Sequence, residues 1–395
     1  MSSLHSVPIK QRPPLTFRDR ARTAAFVVVF GWQLVSLHLF QLVFLPCLLV
    51  PHPVAQDVYH HAISLCKEAF ASVLILITHF FGPSRIVLTV DESVELGKIV
   101  QLDEKGRPRR LELAKQALWV SNHQAYSDWI FIWILLSIGS VSAGLVIILK
   151  ASLEWAPVVG PAMQVFNFCF IDKKKTLAKS NLYRTAQNTI KRSQAYQLLL
   201  FPEGTLYSSL TRPKSAAYAK TLGIPDATNI LLPRSAGLLF SLRLLTPLFP
   251  SLTLYDLTLG YTGVPAQRYA QDYYTLMSIF GRGIPPPSVH LHLRQIPLDT
   301  VPLGEVRASA TPRHLENEIT PKEKEVFEEW LRGRWSEKDR LMGEFGEKGE
   351  FPAGRQGKVE FALRMGKGDW ALLGAVQVFL VVVFFVLRRV WRVVF

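Results

Sequence analysis

Apolar stretches of two lengths recur along the chain, and the difference separates two kinds of element. The first stretch, residues 24–50 (AAFVVVFGWQLVSLHLFQLVFLPCLLV), carries no formal charge and exceeds the roughly 20 residues that cross a bilayer. A second, residues 69–82 (AFASVLILITHFFG), is shorter and follows Lys67 and Glu68. It fits a re-entrant or interfacial helix as well as a span. Pro46, Pro51 and Pro53 lie between the two and break any continuous helix. The pattern therefore predicts a helical hairpin in or on a membrane. Near the other end, residues 370–387 (WALLGAVQVFLVVVFFVL) are uncharged and precede Arg388 and Arg389. This predicts a C-terminal transmembrane helix with a cytosolic flank, and the basic segment 10–22 keeps the N-terminus on the same side.

Between these stretches the apolar runs shorten to strand length: ALWVS (117–121), LVIILK (145–150) and YQLLLF (196–201). Such runs suit strands buried on both faces. Residues 129–138 and 176–193 have helix length and composition. Strands alternating with helices predict an α/β fold with a mostly parallel sheet flanked by helices. The apolar region 129–149 resembles a membrane span, but Gly139, Ser140, Ser142 and Gly144 interrupt it, which predicts a helix, a turn and a strand instead. The expected organisation is a basic tail (1–23), membrane-associated helical segments (24–85), an α/β domain (86–345), a Gly- and charge-rich linker (346–369) and a C-terminal membrane anchor (370–395).

Composition narrows the partners. Hydrophobic residues make up 49% and charged residues 19%, yet the net charge is +14. An apolar, basic chain suits an anionic membrane surface. A nucleic-acid partner is not expected, because no recognition motif or basic–aromatic interleaving accompanies the charge. Cys47, Cys66 and Cys169 lack metal-site or disulfide spacing and read as small buried hydrophobes. His290 and His292 share one face of a strand in VHLHLR, but no third ligand accompanies them in the sequence, so no metal is expected.

Two polar clusters end apolar strands. In SNHQAYSDW (121–129), Asn122 and His123 directly follow the run LWV, and Asp128 opens the next helix. A carboxylate at a buried strand end needs a partner. Folding the loop back lets Asp128 accept the proton-bearing ring nitrogen of His123 and leaves the other nitrogen as a general base. In LLLFPEGT (198–205), Glu203 can bind a hydroxyl or orient a basic residue. Gly204 and Thr205 form a turn whose backbone amides can hold an anion. Parallel sheets open their sites at the carboxyl ends of strands, so both clusters should share one rim.

NHQAYSD together with FPEGT, in this order, resembles the glycerolipid acyltransferases. The blocks ILKASLEWAPVVGPAMQVFNFCFIDKKK (148–175) and ILLPRSAG (230–237) are similar to further blocks of that family. EEWLRGRWSEKDRLMGEF (328–345) resembles its lysocardiolipin and lysophosphatidylinositol acyltransferase branch. The resemblance implies that 86–345 is a catalytic domain moving a fatty acyl group from acyl-CoA, a co-substrate rather than a cofactor, to a lysophospholipid in the bilayer. It further implies that His123 and Asp128 are catalytic, that Asn122, Lys173, Glu203, Gly204, Thr205 and Arg234 serve the acceptor, and that the membrane is the endoplasmic reticulum. Amides near Gly204 can alternatively help an oxyanion. One departure is Asp172–Lys173, where family members often carry arginine; lysine keeps the charge without the bidentate fork. Between Lys173 and Arg192 seven basic residues face no acid, which favours an anionic acceptor headgroup. The competing expectations are a CoA-independent transacylase and a catalytically silent membrane scaffold of the same fold.

Overall fold

The computed structural model describes residues 4–104, 108–157, 159–171, 177–306 and 318–394. Helix α1 (Phe17–Phe44) opens on a capping box between Thr16 and Asp19. Pro46 then tightens the chain into a 3-10 turn, and α2 (Pro53–Phe81) runs back alongside. The expected hairpin is therefore present, but its second arm starts well before residue 69. Charged residues that interrupt the apolar run in the sequence find partners in the fold. Asp57 pairs with Arg192 at 3.1 Å. Lys67 donates to the Leu145 carbonyl at 2.8 Å and lies over the rings of Phe166 and Phe168.

The chain continues through β1 (Arg85–Val90), the one-turn α3 (Leu96–Ile99), a small ribbon of β2 (Val100–Leu102) and β3 (Pro108–Leu111), and β4 (Gln116–Ser121). Next come α4 (Asp128–Ile138), β5 (Leu145–Lys150), α5 (Val159–Val165), β6 (Cys169–Ile171), α6 (Leu177–Lys191) and β7 (Tyr196–Leu200). Then follow α7 (Arg212–Leu222), α8 (Ser235–Leu245), β8 (Thr253–Tyr261), β9 (Ser288–Ile296), α9 (Pro321–Lys348), β10 (Lys358–Ala362) and α10 (Lys367–Val394). The region 129–149 is the helix, turn and strand expected of it, not a span.

Among the described residues, the main sheet has eight strands in the order β10-β1-β9-β8-β4-β7-β5-β6. Five of its seven pairings are parallel; β8 with β9 and β1 with β10 are antiparallel. Alternate strand residues feed two cores. Ala117, Trp119 and Leu199 pack beneath α2 and α4, while Leu118, Val120, Leu198 and Leu200 pack beneath α8 and α9. This two-sided burial explains why the strands read as continuous apolar runs.

Among the described residues, three helices are long and apolar enough to cross a membrane: Phe17–Leu49, Pro53–Phe81 and Lys367–Arg392. They differ in what covers them. In the most apolar stretch of α2, 67% is buried within the protein, against 28% for α1 and 11% for α10. Helix α2 thus lies between α1 and the sheet, while α1 and α10 keep broad apolar surfaces. Helix α10 packs against the hairpin through Phe379 on Phe40 and Phe44. Polar contacts join the three helices, Ser36 to Gln377 at 3.2 Å and Ser72 to Asp369 at 2.7 Å.

Two segments differ from their expected roles. Residues 346–369 contain β10, which closes the sheet against β1 with Lys358 opposite Thr89 and Ala362 opposite Arg85, so this stretch is part of the fold and more than a linker. At the other end, the basic tail packs onto the loop after β8. Arg12 is buried, donating to the Val7 and Tyr273 carbonyls at 2.8 Å each and to the Ser278 hydroxyl, and the Tyr274 hydroxyl donates to the His5 carbonyl at 3.1 Å. Residues 17–23 are the opening turns of α1.

Candidate active site

Strands β4 and β7 are neighbours, with Val120 opposite Leu200, so both end at one level. Past that level β4 becomes the loop 122–127, and Asp128 is the first residue of α4. The loop folds back because Asp128 collects its donors. The carboxylate accepts from the Gln124 amide at 2.7 Å and the Ala125 amide at 3.1 Å. It also accepts from the Tyr261 hydroxyl at 2.6 Å and from His123 Nδ1 at 2.8 Å. Its place at a helix N-terminus adds a favourable dipole. Asp128 is fully buried, which is tolerable for an ion only with such a set of partners.

A carboxylate on Nδ1 requires the proton there and leaves the neutral ring's lone pair on Nε2. The His123 ring stacks on Phe201 at 4.2 Å and its side chain keeps 19% of its exposure. Among the described residues, Nε2 has no protein partner. The geometry therefore provides a held, partly open imidazole with its basic nitrogen free. Tyr261, at the end of β8, adds to this hold. Burial and the adjacent Asp128 charge push its phenol well above its ordinary pKa, so it remains a donor, and it also meets Ser127 at 3.1 Å.

The second cluster joins the first through backbone. The Tyr207 amide donates to the His123 carbonyl at 2.8 Å, and the Arg234 amide to the Pro202 carbonyl at 2.8 Å. Glu203 spans three loops, accepting from the His123 amide at 3.2 Å and the Leu231 amide at 3.3 Å. It is buried, and burial pushes its carboxyl well above the usual range against those amides and the charge of Lys338.

Lys338, on α9, is itself fully buried. It bonds the Leu257 carbonyl at 2.7 Å and pairs with Asp256 at 2.5 Å. Burial lowers the Lys338 pKa against the pull of Asp256. Asp256 is held below the ordinary range despite its burial, because Lys338 and Arg294 both face it.

The rim therefore gathers Asn122, His123, Asp128, Glu203, Gly204, Thr205 and Arg234, but not in one role. Asn122 is fully buried and bridges to β8, donating to the Leu259 carbonyl at 2.9 Å and accepting its amide at 2.8 Å. It braces the strand end instead of facing an acceptor. Glu203 likewise points inward onto backbone. Gly204 has φ +69, the left-handed region that favours glycine. Its amide donates to the Phe201 carbonyl, so that amide closes a turn instead of holding an anion or oxyanion. Thr205 is half-buried in the same turn and Arg234 is exposed beside it. A Cβ on Gly204 would meet the Arg234 side chain at 3.6 Å, and among the described residues Arg234 has no acidic partner. Lys173 lies outside the described residues.

Tyr261 and the residues of α9 that reach the rim escaped the sequence reading. Tyr261 ends a strand at the same rim, which is the one signal that points to it; its partner is 133 positions away. His290 and His292 do share a face of β9, where they bond Ser288 at 2.9 Å and Thr89 at 3.0 Å. Burial lowers both to about 4.

Comparison with known proteins bears on this rim. A family model described as acyltransferase matches residues 102–252, and one described as acyltransferase C-terminus matches residues 306–367. The chain is 33% identical over 318 residues to a 2-acyl-1-lysophosphatidylinositol acyltransferase of Saccharomyces cerevisiae, covering 72% of this chain and 75% of that protein. It is 29% identical to an uncharacterized acyltransferase of Schizosaccharomyces pombe, over 86% of this chain and 89% of the relative. It is 28% identical to lysocardiolipin acyltransferase 1 of Danio rerio, over 58% and 53%.

Proposed function

Because the chain belongs to the glycerolipid acyltransferase family, we propose that it is a membrane enzyme that transfers a fatty acyl group from acyl-CoA to the hydroxyl of a lysophospholipid with an anionic headgroup. The observation that carries this reading is the 2.8 Å contact between His123 Nδ1 and the buried Asp128. In the proposed reaction, His123 Nε2 takes the proton of the acceptor hydroxyl as its oxygen attacks the thioester carbonyl carbon. The carbon–sulfur bond then breaks, and the imidazolium returns the proton to the departing thiolate. The products are the acylated phospholipid and free coenzyme A. Asp128 holds the ring and stabilises its cationic form. A thioester is already an activated donor, so this reaction calls for no covalent enzyme intermediate and no metal.

Three observations favour an anionic headgroup. Arg234 lies at the rim without an acidic partner among the described residues. The segment from Lys173 to Arg192 carries seven basic residues and no acid. The yeast and zebrafish relatives are named for lysophosphatidylinositol and lysocardiolipin, both anionic. The apolar faces of α1 and α10 support a reaction at a membrane, which we take to be that of the endoplasmic reticulum.

The test is purified full-length protein given labelled acyl-CoA and a panel of lysolipids at matched surface concentration. Acylation of lysophosphatidylinositol or another anionic lysolipid in preference to lysophosphatidylcholine is the expected result. Replacing Arg234 by Ala should weaken use of the anionic acceptor by roughly tenfold, the scale of a lost charged contact, with less change for acyl-CoA. Acyl transfer from a phospholipid without acyl-CoA would make the protein a transacylase, and no transfer from either donor would leave a scaffold.

A further inference from the structure

Helix α9 belongs to the C-terminal region and contributes no group to the reaction proposed above, yet it touches β8, the loop after β4 and the segment before α8. Lys338 holds β8 at the Leu257 carbonyl. Met342, one turn on, meets the Asn122 side chain at 3.6 Å. Between them, the Asp339 carboxylate accepts two consecutive amides, Thr228 at 3.0 Å and Asn229 at 2.6 Å. The Asp339 carbonyl also accepts the Asn229 side-chain amide at 3.1 Å. A carboxylate across successive backbone N–H groups is a strong, directional clamp.

What it clamps is the segment leading to Leu231 and Arg234, which is tied to α7 where the Leu232 amide donates to the Ser215 hydroxyl at 3.1 Å and, through residues 228–231, to the catalytic loops. The Gln124 side chain, next to His123, donates to the Asn229 carbonyl at 3.2 Å. The Tyr207 hydroxyl donates to the Thr228 carbonyl at 2.6 Å, and the Tyr207 amide holds the His123 carbonyl. The Leu231 amide binds Glu203, whose other oxygen takes the His123 amide. Residues 228–231 thus form a bridge with α9 at one end and the backbone of His123 at the other.

We propose that Asp339 is a positioning residue for His123, acting through the 228–229 amides and Gln124. This rests on the acyl-transfer reading for its kinetic consequence but not for its structural one. A base displaced by a fraction of an ångström from its attack geometry loses rate steeply, whereas a residue that only stabilises the fold alters melting and leaves kcat of the folded enzyme unchanged.

The experiment is a double-mutant cycle on full-length protein in detergent, combining Asp339→Ala with Gln124→Ala, with Asp339→Asn as the conservative variant. Asp339→Ala is expected to lower kcat about tenfold at a temperature where it remains folded, with little change in KM for acyl-CoA. Asp339→Asn, which keeps one acceptor oxygen, should recover part of that loss. The double variant should be no worse than the poorer single one, since both act on one path. Unchanged kcat in folded Asp339→Ala, or losses that multiply, overturns the proposal.

Hydrogen exchange of the peptide containing Thr228 and Asn229 supplies a readout independent of turnover. It should accelerate in Asp339→Asn and in Asp339→Ala while β4 stays protected, and unchanged exchange also overturns the proposal. If the wild-type protein acylates no lysolipid, the reading of its function fails while the exchange result still decides the clamp.

Discussion

Asp128 and Glu203 are two buried carboxylates that both touch His123, one at its ring and one at its backbone. Asp128 gathers an imidazole, two amides and a phenol. Glu203 has two longer amide contacts and a buried lysine in its field. The first environment surrounds the carboxylate with donors, one of them the imidazole. The second raises the pKa, as expected of a group whose work is to join loops. Two acids at one rim therefore divide into one that holds the His123 ring and one that holds the backbone carrying it.

The largest expected effect removes their common object. His123→Ala should lower kcat by about 10²–10⁴-fold, the usual worth of a positioned base, with circular dichroism and membrane extraction unchanged. Near-normal turnover would end the assignment of His123 as base. Asp128→Asn comes next, at about 10²–10³-fold, because an amide permits the wrong tautomer of the ring. If Asp128→Asn proved milder than Glu203→Gln, the division of labour between the two acids would be reversed.

Glu203→Gln should cost about tenfold in kcat and about 1–3 kcal/mol in stability, since an amide offers one acceptor oxygen where two donors point. Its pH signature is separate. A carboxyl whose pKa is raised in the folded state binds its proton more tightly there than in the unfolded chain. Its stabilising contribution is therefore complete below about pH 4.3 and is lost as pH rises through the raised value. The wild-type melting temperature should contain this decline and that of Glu203→Gln should lack it; parallel curves would show that Glu203 is not the group responsible. The smallest effect is expected for Tyr261→Phe, a few-fold in kcat measured under saturating substrates, because Asp128 keeps its remaining donors. A loss as large as that of Asp128→Asn would make the tyrosine a full partner in holding the ring.

The parts of the site visible in the sequence were those whose partners are close along the chain. His123 and Asp128 are five positions apart, and the strands before both motifs are unbroken apolar runs. Gly204 was visible as a turn, but the destination of its amide was not. Tyr261 and Asp339 belong to the site only because β8 and α9 are packed beside β4, and no spacing encodes that. Lys67 and Asp57 concealed the length of α2, since a charge in an apolar run reads as its end until a carbonyl or an arginine is found for it. β10 escaped because Lys358–Ala362 is five residues long, buries only Val359 and Phe361, and lies in a Gly- and charge-rich stretch. The packing of the basic tail was not visible because nothing local shows that Arg12 reaches two main-chain carbonyls and a serine hydroxyl.

The pairing of β10 with β1 has a consequence for how the chain is made. Arg85 must wait for Ala362, so the outer edge of β1 stays open until a strand more than 270 positions further along the chain has been made. Contacts this distant along the chain slow folding, and domains completed late expose apolar edges to other chains meanwhile. The closing strand is followed at once by the last apolar helix, so completion of the sheet and delivery of that helix to the bilayer fall at nearly the same moment of synthesis. A nascent chain halted before residue 358 carries an unsealed β1 to any neighbour it meets, and quality control should recognise it by that edge.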